Sequence, residues 1–308
     1  MKLITQPEAG IAPLLSAVRR AKKTIDIVVF RFDLDALEDE IAAAVKRGVA
    51  VRALIAHTNT GGDKRLRKLE TRLLGRGITV GRTPNDLVRY HGKVLVVDRR
   101  RAYVLGFNYT KLDLGSRSFG VVVESHRMVK ELLRLFESDA NRTEYTPRVR
   151  DLVVSPENAR RRLESFLRKA RTRIDIYDPQ VTDDRMLELL RRQVAKGVEV
   201  RMLGKLERKW AGAGFDARPF PGRRLHVRAI VRDGRRAFIG SQSLRKLELD
   251  SRREVGIIVR DRAVVRKLQK TFERDWRETE PASKKAAKGV KKKAAKAARA
   301  DKTLKKAA

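Results

Sequence analysis

The sequence has no cysteine and only four histidines, His57, His91, His126 and His226, among its 308 residues. The absence of cysteine excludes disulfides, thiolate catalysis, iron–sulfur clusters and cysteine-ligated zinc. Four histidines leave little room for a histidine-rich metal site. We expect no cofactor.

Long apolar runs are also missing. No stretch approaches the roughly 18 consecutive apolar residues of a transmembrane helix, and the opening residues 1–7 lack the apolar segment of a secretory signal. With 42% hydrophobic residues, the chain can still form a core, in two domains or one large one. The composition favours a globular cytoplasmic protein.

Acidic residues are scarce: 38 Asp and Glu stand against 73 Lys and Arg, giving a net charge of +35. Such a chain attracts polyanions, either nucleic acid or an anionic membrane surface. Residues 281–308 carry ten Lys, one Arg and one Asp, with no aromatic residue. We expect this tail to be disordered when free and to bind nucleic acid or an anionic membrane surface. A purely solubilising tail is the alternative.

The body of the chain repeats itself. Residues 25–54 and 174–203 match at ten positions without a gap, and each segment is predicted to form a strand, a helix and a second strand. An amphipathic helix is predicted before each copy, at 11–21 and 159–170. The identities include Asp35 and Asp184, which we expect to cap the helices that follow them. We predict two repeated α/β halves, residues 1–146 and 147–280, followed by the tail 281–308.

A second pair of matching segments holds the residues that suggest chemistry. Residues 90–98 and 225–233 both alternate as strands do. Two positions separate His91 from Lys93 and His226 from Arg228, so that each pair is expected to face the same side of its strand. An imidazole beside a buried cation is unfavourable unless an anion binds both. The repeat thus predicts a site for an anion.

These residues resemble a known signature. The pattern His-x-Lys-x4-Asp, followed by x6-Gly-Ser-x-Asn, is that of the phospholipase D superfamily, which includes phospholipases D, cardiolipin and phosphatidylserine synthases, and metal-independent nucleases. The resemblance covers residues 1–280 as two repeats. It implies two α/β halves, each a mixed sheet flanked by helices, related by a pseudo-twofold axis. Both histidines would then lie in one cleft.

The match is incomplete in each copy. The first copy has His91, Lys93, Asp98 and Asn108, but Leu105-Gly106 where the family has Gly-Ser. The second copy departs at two positions, Arg228 for Lys and Ser243 for Asn, and matches at His226, Asp233, Gly240 and Ser241.

The family also places a carboxylate further along the chain to orient a histidine. Glu254 matches that position in the second copy. In the first copy the corresponding residue is Ser118 or Phe119, depending on the alignment, and neither is a carboxylate.

The resemblance implies cleavage of a phosphodiester through a phosphohistidine, without a metal. His91 would be the nucleophile and His226 the general acid and base, although the reverse assignment is open. Lys93 and Arg228 would stabilise the charge on phosphorus, and Glu254 would orient a histidine. The resemblance further implies two supporting sets of residues, one that binds the phosphate (Asn108, Ser241 and Ser243) and one that is structural (Asp98 and Asp233).

The substrate class remains open at this point. The family favours a phospholipid, whereas the charge and the tail favour DNA or RNA. The reaction is either hydrolysis or transfer to an alcohol, by a phosphodiesterase or a phosphatidyltransferase. Because one chain carries both half-sites, we expect a monomer. The alternative is an inactive fold that binds nucleic acid through its basic cleft and tail.

Overall fold

A computed structural model describes residues 1–58 and 62–279. It has two mixed sheets flanked by helices, as the repeat predicts. Within the described residues, no helix is both long and apolar enough to cross a bilayer. The tail 281–308, with its predicted disorder and polyanion binding, lies outside the described residues.

The first half alternates strands and helices over most of its length. Its elements are β1 (Lys2–Gln6), α1 (Ala12–Arg19), β2 (Thr24–Val29), α2 (Asp35–Lys46), β3 (Ala50–Ile55), α3 (Asp63–Leu74), β4 (Thr79–Arg82), β5 (Arg89–Tyr90), β6 (Val94–Val97), β7 (Arg101–Leu105), α4 (Lys111–Leu114), β8 (Ser118–Val123) and α5 (His126–Asn141).

The second half repeats this order with few changes. Its elements are β9 (Leu152–Ser155), α6 (Ala159–Arg168), β10 (Arg173–Val181), α7 (Asp184–Ala195), β11 (Glu199–Leu206), a short 3-10 helix (Arg208–Trp210), β12 (Asp216–Arg218), β13 (Arg228–Arg232), β14 (Arg236–Gly240), α8 (Lys246–Asp250), β15 (Arg252–Val259) and α9 (Arg262–Glu278).

The two sheets have equivalent strand orders. The first is β1-β8-β7-β6-β2-β3-β4, with β2, β3 and β4 parallel and the other pairs antiparallel. The second runs β12-β11-β10-β13-β14-β15-β5, and β9 also pairs with β15. The strand β5 belongs to the first half of the sequence but extends the second sheet, so the two halves share backbone pairing.

Alternating side chains of the sheets form three apolar layers. Val94 and Val96 of β6 point to a central core shared by both halves, whereas Leu95 and Val97 point to an outer core under α1, α2 and α3. In the second half the outer core lies under α6 and α7. Strands that are buried on both faces carry few polar residues, which explains why their middles read as continuous apolar runs.

Two expectations about local structure are wrong. The third strand of each repeat does not reach its histidine: β6 begins at Val94 and β13 at Arg228, because the preceding residues pair with the other half. Asp35 and Asp184 do not cap their helices but are the first residues within them. There a carboxylate still interacts favourably with the helix dipole.

Candidate active site

Backbone pairing between the halves holds both histidines. The amide of His91 donates to the carbonyl of Arg253 at 2.7 Å, next to the pairing of β5 with β15. The amide of His226 donates to the carbonyl of Arg117 at 3.1 Å, just before β8. Each histidine is therefore anchored to the strand of the opposite half, in an arrangement with approximate twofold symmetry.

The same two arginines join the halves through buried ion pairs. Arg117 Nε lies 2.7 Å from Asp275 on α9, with both side chains fully buried. Arg253 Nε lies 3.1 Å from Asp139 on α5. Removing one partner of a buried pair leaves an uncompensated charge, so these pairs help to hold α5 and α9 against the opposite half. Sequence reasoning missed them, although both pairs recur at the same offset in the repeat.

His91 is buried against a carboxylate of the other half. Its Nδ1 lies 2.9 Å from each oxygen of Glu254, and its ring meets the Phe30 ring edge-on at 4.4 Å. Burial lowers the pKa of His91 well below its usual value, and the charges of Lys93 and Arg228 lower it further. The contact with Glu254 favours the neutral tautomer that carries its proton on Nδ1, which leaves Nε2 unprotonated.

Lys93 is the cation beside this ring. Its Nζ lies 2.9 Å from both nitrogens of His91 and 5.6 Å from the centre of the Phe30 ring. Its side chain is 1% exposed, and burial lowers its pKa to about 7. A weakly held proton on a buried amine makes Lys93 sensitive to any anion that enters the site.

His226 also has a carboxylate, supplied by a residue that sequence reasoning missed. Asp113, in the short helix α4 of the first half, places Oδ2 3.1 Å from Nδ1 of His226. Burial alone would raise the pKa of Asp113, but His226, the Asn108 amide and Arg224 lower it far below its usual value. Burial lowers the pKa of His226 to about 4 despite the opposing effect of Asp113.

Asp113 is not the residue that alignment with Glu254 indicates for the first half. Ser118 and Phe119 are fully buried in β8. Alignment of the two repeats offers a signal for the true position: Asp113 follows Asn108 by five residues, as Glu248 follows Ser243.

Arg228 occupies the position equivalent to Lys93. Its Nε donates to Ser243 Oγ at 3.0 Å, and its Nη2 lies 3.8 Å from Glu248. Its Nη1 is buried without a hydrogen-bond partner. An unsatisfied buried guanidinium nitrogen is costly, and it would gain most from an anion bound at the site.

The three residues expected to bind phosphate are buried and hydrogen-bonded within the protein. Asn108 donates from its side chain to Asp113 at 2.7 Å, and Ser241 exchanges hydrogen bonds with the backbone of Val255, beside Glu254. Ser243 accepts from Arg228. These contacts position the site. Direct contact with phosphate stays a prediction for all three.

The departure at Gly106 has a steric cause. A Cβ at this position would lie 2.9 Å from the carbonyl oxygen of Gly240, across the contact between the halves. The serine that the family has here would not fit without a backbone shift.

Asp98 and Asp233 lie away from the histidines, at the opposite ends of β6 and β13. One carboxylate oxygen of Asp98 accepts from the amides of Lys22, Lys23 and Thr24 at 2.6–3.1 Å. Asp233 does the same with residues 171–173 at 2.9–3.2 Å. Both have positive φ angles, 52° and 53°. They tie the β2 and β10 strands to the turns of the neighbouring hairpins.

Within residues 1–58 and 62–279, no three His, Asp or Glu side chains are grouped as metal ligands would be. Lys93 and Arg228 supply positive charge beside the two histidines.

Comparisons with known proteins agree on the fold. The PLD-like domain of cardiolipin synthase matches residues 14–140 and 163–276. Phosphatidylserine synthase from Haemophilus influenzae superposes over 98% of this chain and 94% of its own, with a TM-score of 0.69 and 14% identity. Polyphosphate kinase from Porphyromonas gingivalis superposes with a TM-score of 0.73 and 16% identity over 89% of this chain, which spans half the length of that kinase.

A smaller structure matches one part of the chain. Nuc, a phospholipase D family member from Salmonella typhimurium, is 23% identical, with a TM-score of 0.42 over 46% of this chain and 95% of its own. No curated protein sequence matches. The domain match spans most of both halves, and on that ground the chain belongs to the phospholipase D superfamily.

Proposed function

We propose that this protein cleaves a phosphodiester through a phosphohistidine formed on His91. One observation carries the proposal: two buried histidines each contact a carboxylate of the opposite half, with two cations beside them. Covalent catalysis at phosphorus needs a neutral nucleophile, a proton for the leaving oxygen and fixed positive charge. The site contains one group for each task.

In the first step, Nε2 of neutral His91 attacks phosphorus and forms a P–N bond. The P–O bond to the leaving group breaks, and the leaving oxygen takes a proton from the imidazolium of His226. Glu254 holds the proton on Nδ1 of His91 and so keeps Nε2 unprotonated. Asp113 stabilises the imidazolium of His226 before the transfer.

In the second step, neutral His226 accepts a proton from water or an alcohol, whose oxygen attacks phosphorus. The P–N bond breaks, which restores neutral His91, while His226 becomes protonated for the next cycle. Water gives a phosphodiesterase and an alcohol gives a phosphatidyltransferase. Both half-sites come from one chain, so we propose that a monomer suffices.

Lys93 and Arg228 supply the charge that equatorial phosphoryl oxygens require. Arg228 Nη1 has no hydrogen-bond partner, and Lys93 Nζ lies 2.9 Å from Nε2 of His91, the atom proposed to attack phosphorus. We therefore expect activity to persist in the presence of a chelator. Complete loss in EDTA that added Mg²⁺ or Zn²⁺ restores would contradict this mechanism.

The two departures in the second copy compensate each other. Guanidinium is larger than ammonium, whereas Ser243 is smaller than the asparagine that the family has at its position. The smaller serine leaves room for the larger guanidinium, and the two side chains are joined by a hydrogen bond from Arg228 Nε to Ser243 Oγ. This pairing supports an intact second half-site and weakens the case for a decayed one.

The second candidate is an inactive fold that binds nucleic acid through its cleft and tail. The net charge of +35 favours it. The two candidates differ in one observable, since only the enzyme traps labelled phosphate on protein.

A parallel assay identifies the substrate class. The full-length protein is incubated with labelled phospholipid vesicles and with labelled DNA, with EDTA in both reactions. The proposal expects release of product from one of them, and His226→Ala to abolish repeated turnover without unfolding. Binding of DNA with no turnover of either substrate would favour the inactive module.

A further inference from the structure

A second cationic site lies on the far side of the second half. A groove of about 1190 Å³ runs between the end of α6, the β13–β14 turn and the first turns of α9. Nine Arg and Lys side chains and one carboxylate, Asp233, line it. We call it the basic groove. Arg232 in its wall is four residues from Arg228 along β13, about 13 Å at roughly 3.3 Å per residue, so the groove is separate from the site described above.

The charge of the basic groove is mostly uncompensated. Of its nine cations, only Arg168 and Arg232 lie within 4.0 Å of a carboxylate among the described residues. Three backbone amides already bind the Asp233 carboxylate. Burial lowers the pKa of Arg232, and the neighbouring charges of Arg236 and Arg260 add to the effect. Like charges at close range destabilise a fold, and a bound anion would remove that repulsion.

The repeat provides an internal comparison. The equivalent recess of the first half, at the β6–β7 turn, measures about 440 Å³ and pairs Arg101 with Glu124. Val97 stands there in place of Arg232, and His126 in place of Arg262. The fold itself therefore does not require this positive charge. The concentration of cations in the second half instead indicates a ligand.

The shape and composition of the groove favour one kind of anion. Seven of the nine cations are arginines, which bind phosphate with two parallel hydrogen bonds. A concave surface fits a convex chain of phosphates but not a flat bilayer. The large apolar residues exposed on the described surface, Met1, Leu74, Val88, Leu112 and Leu247, all lie outside the groove, so nothing in it would insert into lipid. We propose that the basic groove binds the phosphate backbone of a nucleic acid.

Charge reversal within the groove tests this proposal. In the full-length chain, Arg235→Glu and Arg266→Glu are combined, since both side chains are exposed and neither forms an ion pair among the described residues. The matched control combines Arg100→Glu and Lys130→Glu at the equivalent positions of the first half, which are also exposed and unpaired there. Both variants lose the same net charge. Binding to duplex DNA is measured over a range of salt concentrations.

We expect the groove variant to bind at least about tenfold more weakly at 0.1 M salt, and its plot of log K against log salt to flatten by about 1.8, or 0.9 for each lost phosphate contact. The control variant should lose much less affinity for DNA. Equal losses in both variants would mean diffuse attraction by net charge and would overturn the proposal. Retained DNA binding with lost binding to phosphatidylglycerol vesicles would assign the groove to a membrane and also overturn it.

A third readout separates this site from the proposed chemistry. Turnover of a small soluble phosphodiester should be unchanged in both variants, because the groove contains none of the proposed catalytic residues. The groove proposal thus stands or fails on DNA affinity alone, whether or not the protein is an enzyme.

Discussion

At the scale of single residues, the two histidines depend on carboxylates at different positions in the repeat. Glu254 follows His226 by 28 residues, and Asp113 follows His91 by only 22, yet each contacts the histidine of the opposite half. Burial and the contact with Glu254 favour the neutral form of His91, whereas Asp113 opposes the effect of burial on the pKa of His226. The motif contains the histidines, but the carboxylate that contacts each of them comes from the opposite half.

Removing either carboxylate charge should therefore slow the reaction. We expect Glu254→Gln and Asp113→Asn each to lower the single-turnover rate by about 10² to 10⁴, because an orienting carboxylate of this kind contributes up to about 10⁴. Since Asn108 and Arg224 also bind Asp113, melting temperature is measured in parallel. A neutral rate in Glu254→Gln would refute the assignment of this residue.

The pH dependence tests the environment of the same groups. The first step needs His91 neutral and His226 protonated, and the pKa of His226 is about 4. As pH rises above that value the protonated fraction of His226 declines, and above pH 7 Lys93 loses its charge as well, since its pKa is about 7. Both changes lower the rate of the first step as pH rises.

We therefore expect kcat/KM for a small phosphodiester to fall from pH 5 to pH 9, with a steeper fall above pH 7. Because kcat/KM reports the free enzyme, this profile is independent of how substrate shifts the pKa values. The Lys93→Arg variant, whose cation does not titrate, should lose the steeper part. A rate that rises over this range would contradict the assigned protonation states.

At the scale of secondary-structure elements, Asp98 and Asp233 join hairpin turns to neighbouring strands. Each accepts three backbone amides through one oxygen. Because both residues have positive φ, asparagine is the proper replacement: it tolerates this conformation and removes only the charge.

We expect Asp98→Asn and Asp233→Asn each to lower the free energy of unfolding by about 1.5–3 kcal/mol, the value of hydrogen bonds to a charged group. The folded fraction should react at the normal rate. Thermal melting and single-turnover assays on the same samples check this. An unchanged melting temperature with a slow reaction would place these residues in the chemistry instead.

At the scale of the whole molecule, the halves are two copies of one unit, and the sequence reveals this because ten of thirty positions in residues 25–54 recur. Alignment with Glu254 does not reveal the carboxylate of the first half, because neither Ser118 nor Phe119 is acidic. The signal for Asp113 is its spacing from Asn108, which equals the spacing of Glu248 from Ser243. The lowered histidine pKa values depend on burial between the halves, which no local pattern contains.

The central claim is a covalent bond between phosphorus and His91. A substrate labelled on its phosphorus is mixed with excess protein in EDTA, quenched in alkali within one turnover, and the protein is digested and mapped. We predict an acid-labile label on His91, present in wild type and in a slow His226→Ala reaction, and absent from His91→Ala. Turnover of the substrate without any label on the protein, or with the label elsewhere, would contradict the account.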